Sequence, residues 1–205
     1  MTSRLDPKDA LHNYVQRARD ALVWKCEGLS ERELRMPRTV TGTNLLGLVK
    51  HCIGVEVGYL GYTFGRPWRG LEEEIPWLRS WVDPSVPEIA EEDLFATADE
   101  SAAALIELYR RVWVHCDATV AELDLDAPGR VPWWPDERAD VNLHVVLVHL
   151  VAELQRHAGH ADILREGIDG AAGVNKRFTN LWTAEEDRPA HVARLREIAE
   201  LFPAD

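Results

Sequence analysis

The sequence has 205 residues, of which 46% are hydrophobic, and this composition excludes disorder as the global state. Its 35 acidic and 23 basic residues give a formal net charge of −12. A surface of that sign repels a phosphate backbone, so we expect no binding to nucleic acids.

Two amphipathic helical patterns occupy the first third of the chain. Apolar residues recur at intervals of three and four residues over 7–28, which predicts a first helix. A second pattern predicts a helix over 44–64, with Thr43 or Asn44 as its N-cap.

A long loop and a third helix follow. Residues 66–96 are rich in Trp, Pro and acidic side chains, and we predict a loop there that holds one short helix, Glu72–Trp81. The segment Thr97–Glu100 matches a capping box, which predicts that the third helix spans 97–123.

The last long helix is preceded by a second loop. Pro and Gly residues mark this loop over 128–135, and it carries the adjacent tryptophans Trp133 and Trp134. Asp140 is the expected N-cap of a fourth helix over 141–169.

The tail holds one more helical pattern, Ala190–Leu201, and no alternating pattern of useful length predicts a strand. Four main amphipathic helices predict an all-α four-helix bundle, with short extra helices in the long loops and at the C-terminus. We expect residues 1–205 to form a single domain.

The cysteines and the apolar segments indicate the compartment. Cys26, Cys52 and Cys116 are widely spaced, which favours reduced thiols in a cytoplasmic protein. The N-terminus lacks an apolar signal region. The longest apolar stretch, Val145–Ala152, is too short to span a bilayer, so no membrane association is expected.

The fourth helix carries a stripe of candidate metal ligands. At about 100° per residue, with His149 as the zero, His160 falls near 20°, Glu153 near 40° and His157 near 80°. This stripe borders the leucines that form the core face of the helix. A carboxylate at the edge of a core is costly unless it is paired or binds a metal.

One further candidate lies on the second helix. His51 shares a face with Leu48 and Val55, so it points inward. If the second and fourth helices are neighbours, His51, Glu153 and His157 can meet at one divalent cation. The alternative is that these are hydrogen-bonded core residues, because a short His/Glu spacing is a weak motif.

Trp133 and Trp134 have two interpretations. They can wall a substrate pocket beside the fourth helix, or they can form an aromatic plug over the end of the bundle. The sequence shows no Gly-rich phosphate loop, nucleophile elbow or Cys-x-x-Cys pair.

Four segments carry a resemblance to a known family. The chain resembles the DinB-like superfamily of metal-dependent four-helix bundles, within which it is similar to an actinobacterial-type branch. Residues 66–135 contain no matching motif. The matching segments are Leu22–Lys25, Gly28–Ser30, Gly42–His51 and Glu153–Glu166.

The resemblance implies a ligand set. In the superfamily one ligand comes from the second helix and two come from the fourth, four residues apart. His51 matches the first position and His157 the last. The middle position is often His but is Glu153 here, as in the related thiol-dependent maleylpyruvate isomerases. His149 and His160 are candidates for orienting the ligands or shuttling a proton.

The resemblance also implies a chemistry. Related members are S-transferases or isomerases that use bacillithiol, mycothiol or glutathione, and mycothiol is the thiol implied for an actinobacterial source. We expect a divalent metal, zinc first and nickel or iron as alternatives, which activates the thiol against a small electrophile. A non-haem Fe(II) enzyme and a non-catalytic metal-binding stress protein remain alternatives, and a homodimer stays open.

Overall fold

The fold of the computed structural model is built from four long helices. The structure describes residues 6–83, 85–87, 91–179, 181 and 184–203. Its main helices confirm the predicted all-α four-helix bundle: they are α1 (Pro7–Cys26), α3 (Leu45–Glu56), α6 (Ala102–Glu122) and α8 (Leu143–Asp169). The shorter helices of the described chain are α2 (Glu31–Arg35), α4 (Leu71–Glu74), α5 (Arg79–Val82), α7 (Asp136–Ala139) and α9 (Arg188–Ala199).

Packing places α3 between the other long helices. It contacts α1, α6 and α8, while α1 lies along α8 for most of its length. The apolar faces of these helices meet in one core, which includes Leu22, Ile53, Val112 and Leu147, all of them buried. None of the described helices is both long and apolar enough to cross a bilayer.

The second helix ends irregularly. After α3 the backbone continues as a π-helix over Val57–Gly61 and then as a 3₁₀-helix over Tyr62–Phe64, so the helical segment predicted over 44–64 is present with a changed hydrogen-bond pattern. Short π-helical segments often lie at functional sites. Gly65, with φ of 67°, ends the segment in the left-handed region.

A buried ion pair lies where α3 becomes the π-helix. Arg19 of α1 donates to both carboxylate oxygens of Glu56, and the hydroxyl of Tyr109 in α6 donates to Glu56 Oε1 at 2.7 Å. All three side chains are buried. The network therefore joins α1, α3 and α6 at one level of the bundle.

Two predicted helix starts were wrong. The third helix begins at Ala102, where the side chain of Ser101 accepts from Ala104 N. In the segment expected to be a capping box, the side chain of Glu100 accepts from Thr97 N but no helix begins there, because Glu100 also pairs with Lys50 of α3. Glu100 is therefore used in a tertiary contact.

The start of α8 was also displaced, by a small sheet that the sequence did not predict. Strand β1 (Pro128–Arg130) pairs antiparallel with β2 (Asp140–Asn142). Asp140 therefore belongs to a strand, and Asn142 caps α8 by accepting from Val145 N at 3.0 Å.

The helix predicted over Glu72–Trp81 is broken into pieces. Helices α4 and α5 are separated by a 3₁₀-turn over Pro76–Leu78. Pro76 has no N–H to donate and restricts the residue before it, so a continuous helix cannot pass this point. Of the loop predicted over 66–96, residues 84 and 88–90 lie outside the described residues.

Candidate metal centre

Helices α3 and α8 bring His51, Glu153 and His157 together, as the sequence predicts for their inward faces. Glu153 and His157 lie one turn apart on α8, and His51 lies on α3, which packs against it. One ligand atom from each residue can be chosen so that all three lie within 4.8 Å of one another.

The carboxylate of Glu153 is the centre of the group. Its Oε1 lies 2.9 Å from Nε2 of His157 and 3.5 Å from Nε2 of His51. Neighbouring ligand atoms of a tetrahedral site with bonds of about 2.0–2.1 Å are about 3.3 Å apart. The side chains of His51, Glu153 and His157 are 16%, 25% and 11% exposed, so the group is shielded but reachable from solvent.

Two buried nitrogens of the group are unsatisfied. Among the described residues, neither Nε2 of His51 nor Nδ1 of His157 has a hydrogen-bond partner. A buried polar atom without a partner costs about 1–3 kcal/mol. Because the unpaired Nε2 of His51 faces the carboxylate, a divalent cation bound there would satisfy both, and the residues fit such an ion.

The pKa shifts favour the protonation state that a metal needs. Burial alone would raise the pKa of Glu153, but the hydrogen bonds and charges of His157 and His51 outweigh it, and the pKa is lowered. Burial lowers the pKa of His157, and repulsion from His51 lowers it further. Metal ligands are ionised carboxylates and neutral imidazoles, which is the combination that these shifts produce.

The structure adds a fourth group that the sequence analysis missed. Oδ2 of Asp93 lies 2.5 Å from Nδ1 of His51, on the side of the ring away from Glu153. Asp93 belongs to a 3₁₀-turn over Glu92–Leu94, in the long loop before α6. Histidines that bind metals commonly donate their other ring N–H to a carboxylate in this way.

The other candidate histidines lie at the edges of the centre. The exposed His160 packs edge-on against His157, with ring centroids 5.5 Å apart. Both residues line a cleft of about 360 Å³ between α8, the start of α3 and the loop around Leu94. His149 lies within an aromatic cluster, with its ring centroid 4.5 Å from that of Tyr59.

Trp133 and Trp134 belong to the same aromatic cluster. The indole of Trp134 donates to the hydroxyl of Tyr59 at 3.0 Å, and Trp133 packs edge-on against the Tyr59 ring. Trp133 reaches the helix backbone because residue 58 is glycine, where a Cβ would lie 2.6 Å from the indole ring.

The aromatic cluster is continuous with the candidate metal centre. Trp81 lies between them, with its ring centroid 6.1 Å from that of Trp133 and 6.3 Å from that of His51. The residues therefore wall one side of the centre with aromatic rings.

The cysteines are unsuited to act as nucleophiles. Cys26, Cys52 and Cys116 are free and buried, as the sequence predicts for reduced thiols. Burial raises the pKa of all three, that of Cys26 to about 12. A thiolate is the reactive form, so a nucleophilic sulfur at this site has to come from a bound molecule.

Comparisons with known proteins agree with this architecture. A family model described as mycothiol-S-transferase matches residues 10–170, a range that includes all three candidate ligands. A crystal structure described as the conserved protein of locus from Enterococcus faecalis has a TM-score of 0.59 and 13% sequence identity, covering 82% of this chain and 99% of that chain. Identity this low shows a shared fold alone. No curated protein matches the chain.

Proposed function

The chain belongs to the mycothiol-S-transferase family of DinB-like proteins, and on that premise we propose that it transfers a low-molecular-weight thiol to a small electrophile. Mycothiol is the thiol that the family implies. The observation that carries the proposal is the convergence of His51, Glu153 and His157, with the unpaired Nε2 of His51 turned to the carboxylate.

The three ligands would hold one divalent cation, zinc first and nickel or iron as alternatives. A cation at this position lowers the pKa of a thiol that reaches it. The reaction then forms one carbon–sulfur bond, while the thiol proton and the leaving group depart.

The remaining work falls to the residues around the centre. Glu153 is ionised and His157 neutral, so both are ready to bind the cation without first losing a proton. The rings of Trp81 and Trp133 beside His51 offer an apolar wall for the electrophile. His160, exposed at the cleft beside His157, is placed to accept the thiol proton and pass it to solvent.

The proposal is tested by metal content and by conjugation of the thiol. Purified wild type is assayed with mycothiol and an alkyl bromide, and its metal is measured by mass spectrometry. Glu153→Ala removes the shared carboxylate, while Glu166→Ala removes an exposed carboxylate from the same helix. We expect one metal ion and thiol conjugation in wild type and in Glu166→Ala, and neither in Glu153→Ala.

Two outcomes would contradict the proposal. Equal metal occupancy in wild type and Glu153→Ala would remove the metal centre from this position. A metal that depends on Glu153 without conjugation of any low-molecular-weight thiol would leave a metal-binding stress protein as the better account.

The donor set favours one second candidate. Two imidazoles and one carboxylate are also the ligands of non-haem Fe(II) oxygenases. Iron in the purified protein, with oxygen consumption that Glu153→Ala abolishes, would support that reading over thiol transfer.

A further inference from the structure

A short strap crosses one face of α3 beside the candidate metal centre. We use the name strap for residues 91–95, which contain the 3₁₀-turn that carries Asp93. The strap begins at Glu91, whose φ of 60° is rare for a residue with a side chain. It is held by contacts to residues at positions 44, 47, 50 and 51 of the N-cap and helix, which lie on one helix face.

Polar contacts hold the backbone of the strap. The side-chain nitrogen of Asn44 lies 3.4 Å from the carbonyl oxygen of Leu94, and the ammonium group of Lys50 donates to the carbonyl of Phe95 at 3.1 Å. Lys50 is buried and also pairs with Glu100 at 3.0 Å. The path of the strap is thus fixed by α3 on both sides of Asp93.

Gly47 allows the strap to come this close. A Cβ at position 47 would lie 1.9 Å from the carbonyl oxygen of Leu94 and 2.7 Å from its carbonyl carbon. Both are backbone atoms, so a clash cannot be relieved by a change of rotamer. Glycine within a helix lowers its stability relative to alanine, and here it permits the contact between strap and helix.

The close approach decides which nitrogen of His51 is free. Asp93 accepts from Nδ1–H of His51, so the proton of the neutral ring is held on Nδ1. The Nε2 lone pair then points to Glu153. Without the carboxylate, the proton would distribute between both nitrogens and the ring could rotate.

We propose that Asp93 is a positioning residue of the metal centre and that Gly47 is the residue that brings it to His51. The inference rests on the proposed function, because it assigns these two residues to the same site. Asp93 does not touch the metal. It fixes the tautomer and the ring orientation of His51, and loss of such a partner weakens metal binding by about 10–100-fold.

The test uses Asp93→Ala and Gly47→Ala, with Gly54→Ala as the matched control. Gly54 lies in the same helix, but a Cβ there would be 3.5 Å from its nearest neighbour, the indole nitrogen of Trp77. Zn²⁺ affinity is measured by competition with a chromogenic chelator. The tautomer of His51 in metal-free protein is measured by ¹⁵N NMR of the imidazole nitrogens.

We expect protonation at Nδ1 in wild type and Gly54→Ala, and a mixture of tautomers in Asp93→Ala and Gly47→Ala. Zn²⁺ affinity should fall about 10–100-fold in the latter two and change less than about threefold in Gly54→Ala. Because Asp93→Ala leaves the backbone intact, it decides the question even if Gly47→Ala does not fold.

Failure of this inference differs from failure of the proposed function. Unchanged tautomer and Zn²⁺ affinity in Asp93→Ala, with a Zn²⁺ site that Glu153→Ala removes, would overturn the role of Asp93 and leave the metal centre standing. If wild type binds no metal, the proposed function fails, and the NMR measurement still shows whether Asp93 sets the tautomer.

Discussion

Removing the carboxylate of Glu153 should abolish the stabilisation that a metal gives to the fold. Its Oε1 faces Nε2 of both histidines, at 2.9 and 3.5 Å, so Glu153→Ala leaves two imidazoles from different helices without the group between them. A metal that binds only the native state links α3 to α8 and stabilises the protein by mass action.

The expected size follows from the binding equilibrium. Free Zn²⁺ at a hundred times its Kd adds about 2.7 kcal/mol. For a chain of about 200 residues, 1 kcal/mol shifts Tm by about 2–4 °C. Stripping the metal should therefore lower the Tm of wild type by about 5–11 °C.

Thermal unfolding is followed by circular dichroism, with Zn²⁺ and after removal of Zn²⁺ by a chelator. The chelator should lower Tm in wild type and in Glu166→Ala, whose altered side chain is an exposed carboxylate of α8, and leave Glu153→Ala nearly unchanged. An equal shift in wild type and Glu153→Ala would refute the reasoning, because the ion would then be held elsewhere.

Three further predictions concern the fold and the surface. Glu56→Gln leaves the buried guanidinium of Arg19 without its bidentate partner, so unfolding in urea should show a loss of about 3–5 kcal/mol, and a loss below about 1 kcal/mol would contradict the buried pair. Burial would raise the pKa of Asp117, but His12 and Arg19 lower it below 3.8, so its stabilising contribution is present above that pH and is lost as the pH falls through the lowered pKa. The stability of Asp117→Asn should then depend less on pH below about 4 than that of wild type, and equal dependence would speak against the shift. Fluorescence anisotropy with duplex DNA at physiological salt should show no complex, because the net charge is −12, and a Kd below about 1 µM would contradict this.

The meeting of His51, Glu153 and His157 could be predicted because it follows from helix periodicity. Leu147, Leu150 and Leu154 mark the buried face of α8, and Glu153 and His157 fall at its border. The inward direction of His51 follows from the same rule applied to α3. What remained was the assumption that α3 and α8 are neighbours, and the structure confirms it.

Asp93 could not be predicted in this way. It is 42 residues from His51 in the chain and lies in a loop without helical or strand periodicity. Its position depends on the contact of the strap with Gly47, which periodicity registers only as an unfavourable residue in a helix.

The errors at the helix starts have a similar physical origin. Thr97 and Asp140 are good caps by residue type, yet Ser101 and Asn142 cap the helices. Tertiary contacts decided both cases, because Asp140 is used in a strand and Glu100, three residues after Thr97, pairs with Lys50. Local propensity cannot register partners that are distant in sequence.

The most direct test of the central claim is a cobalt-substituted protein to which a low-molecular-weight thiol is added. A thiolate that reaches the metal should produce a sulfur-to-metal charge-transfer band in wild type. The band should persist in His144→Ala, which alters an exposed histidine of α8, and be lost in His51→Ala. If no low-molecular-weight thiol changes the cobalt spectrum of wild type, the thiol-transfer account is contradicted.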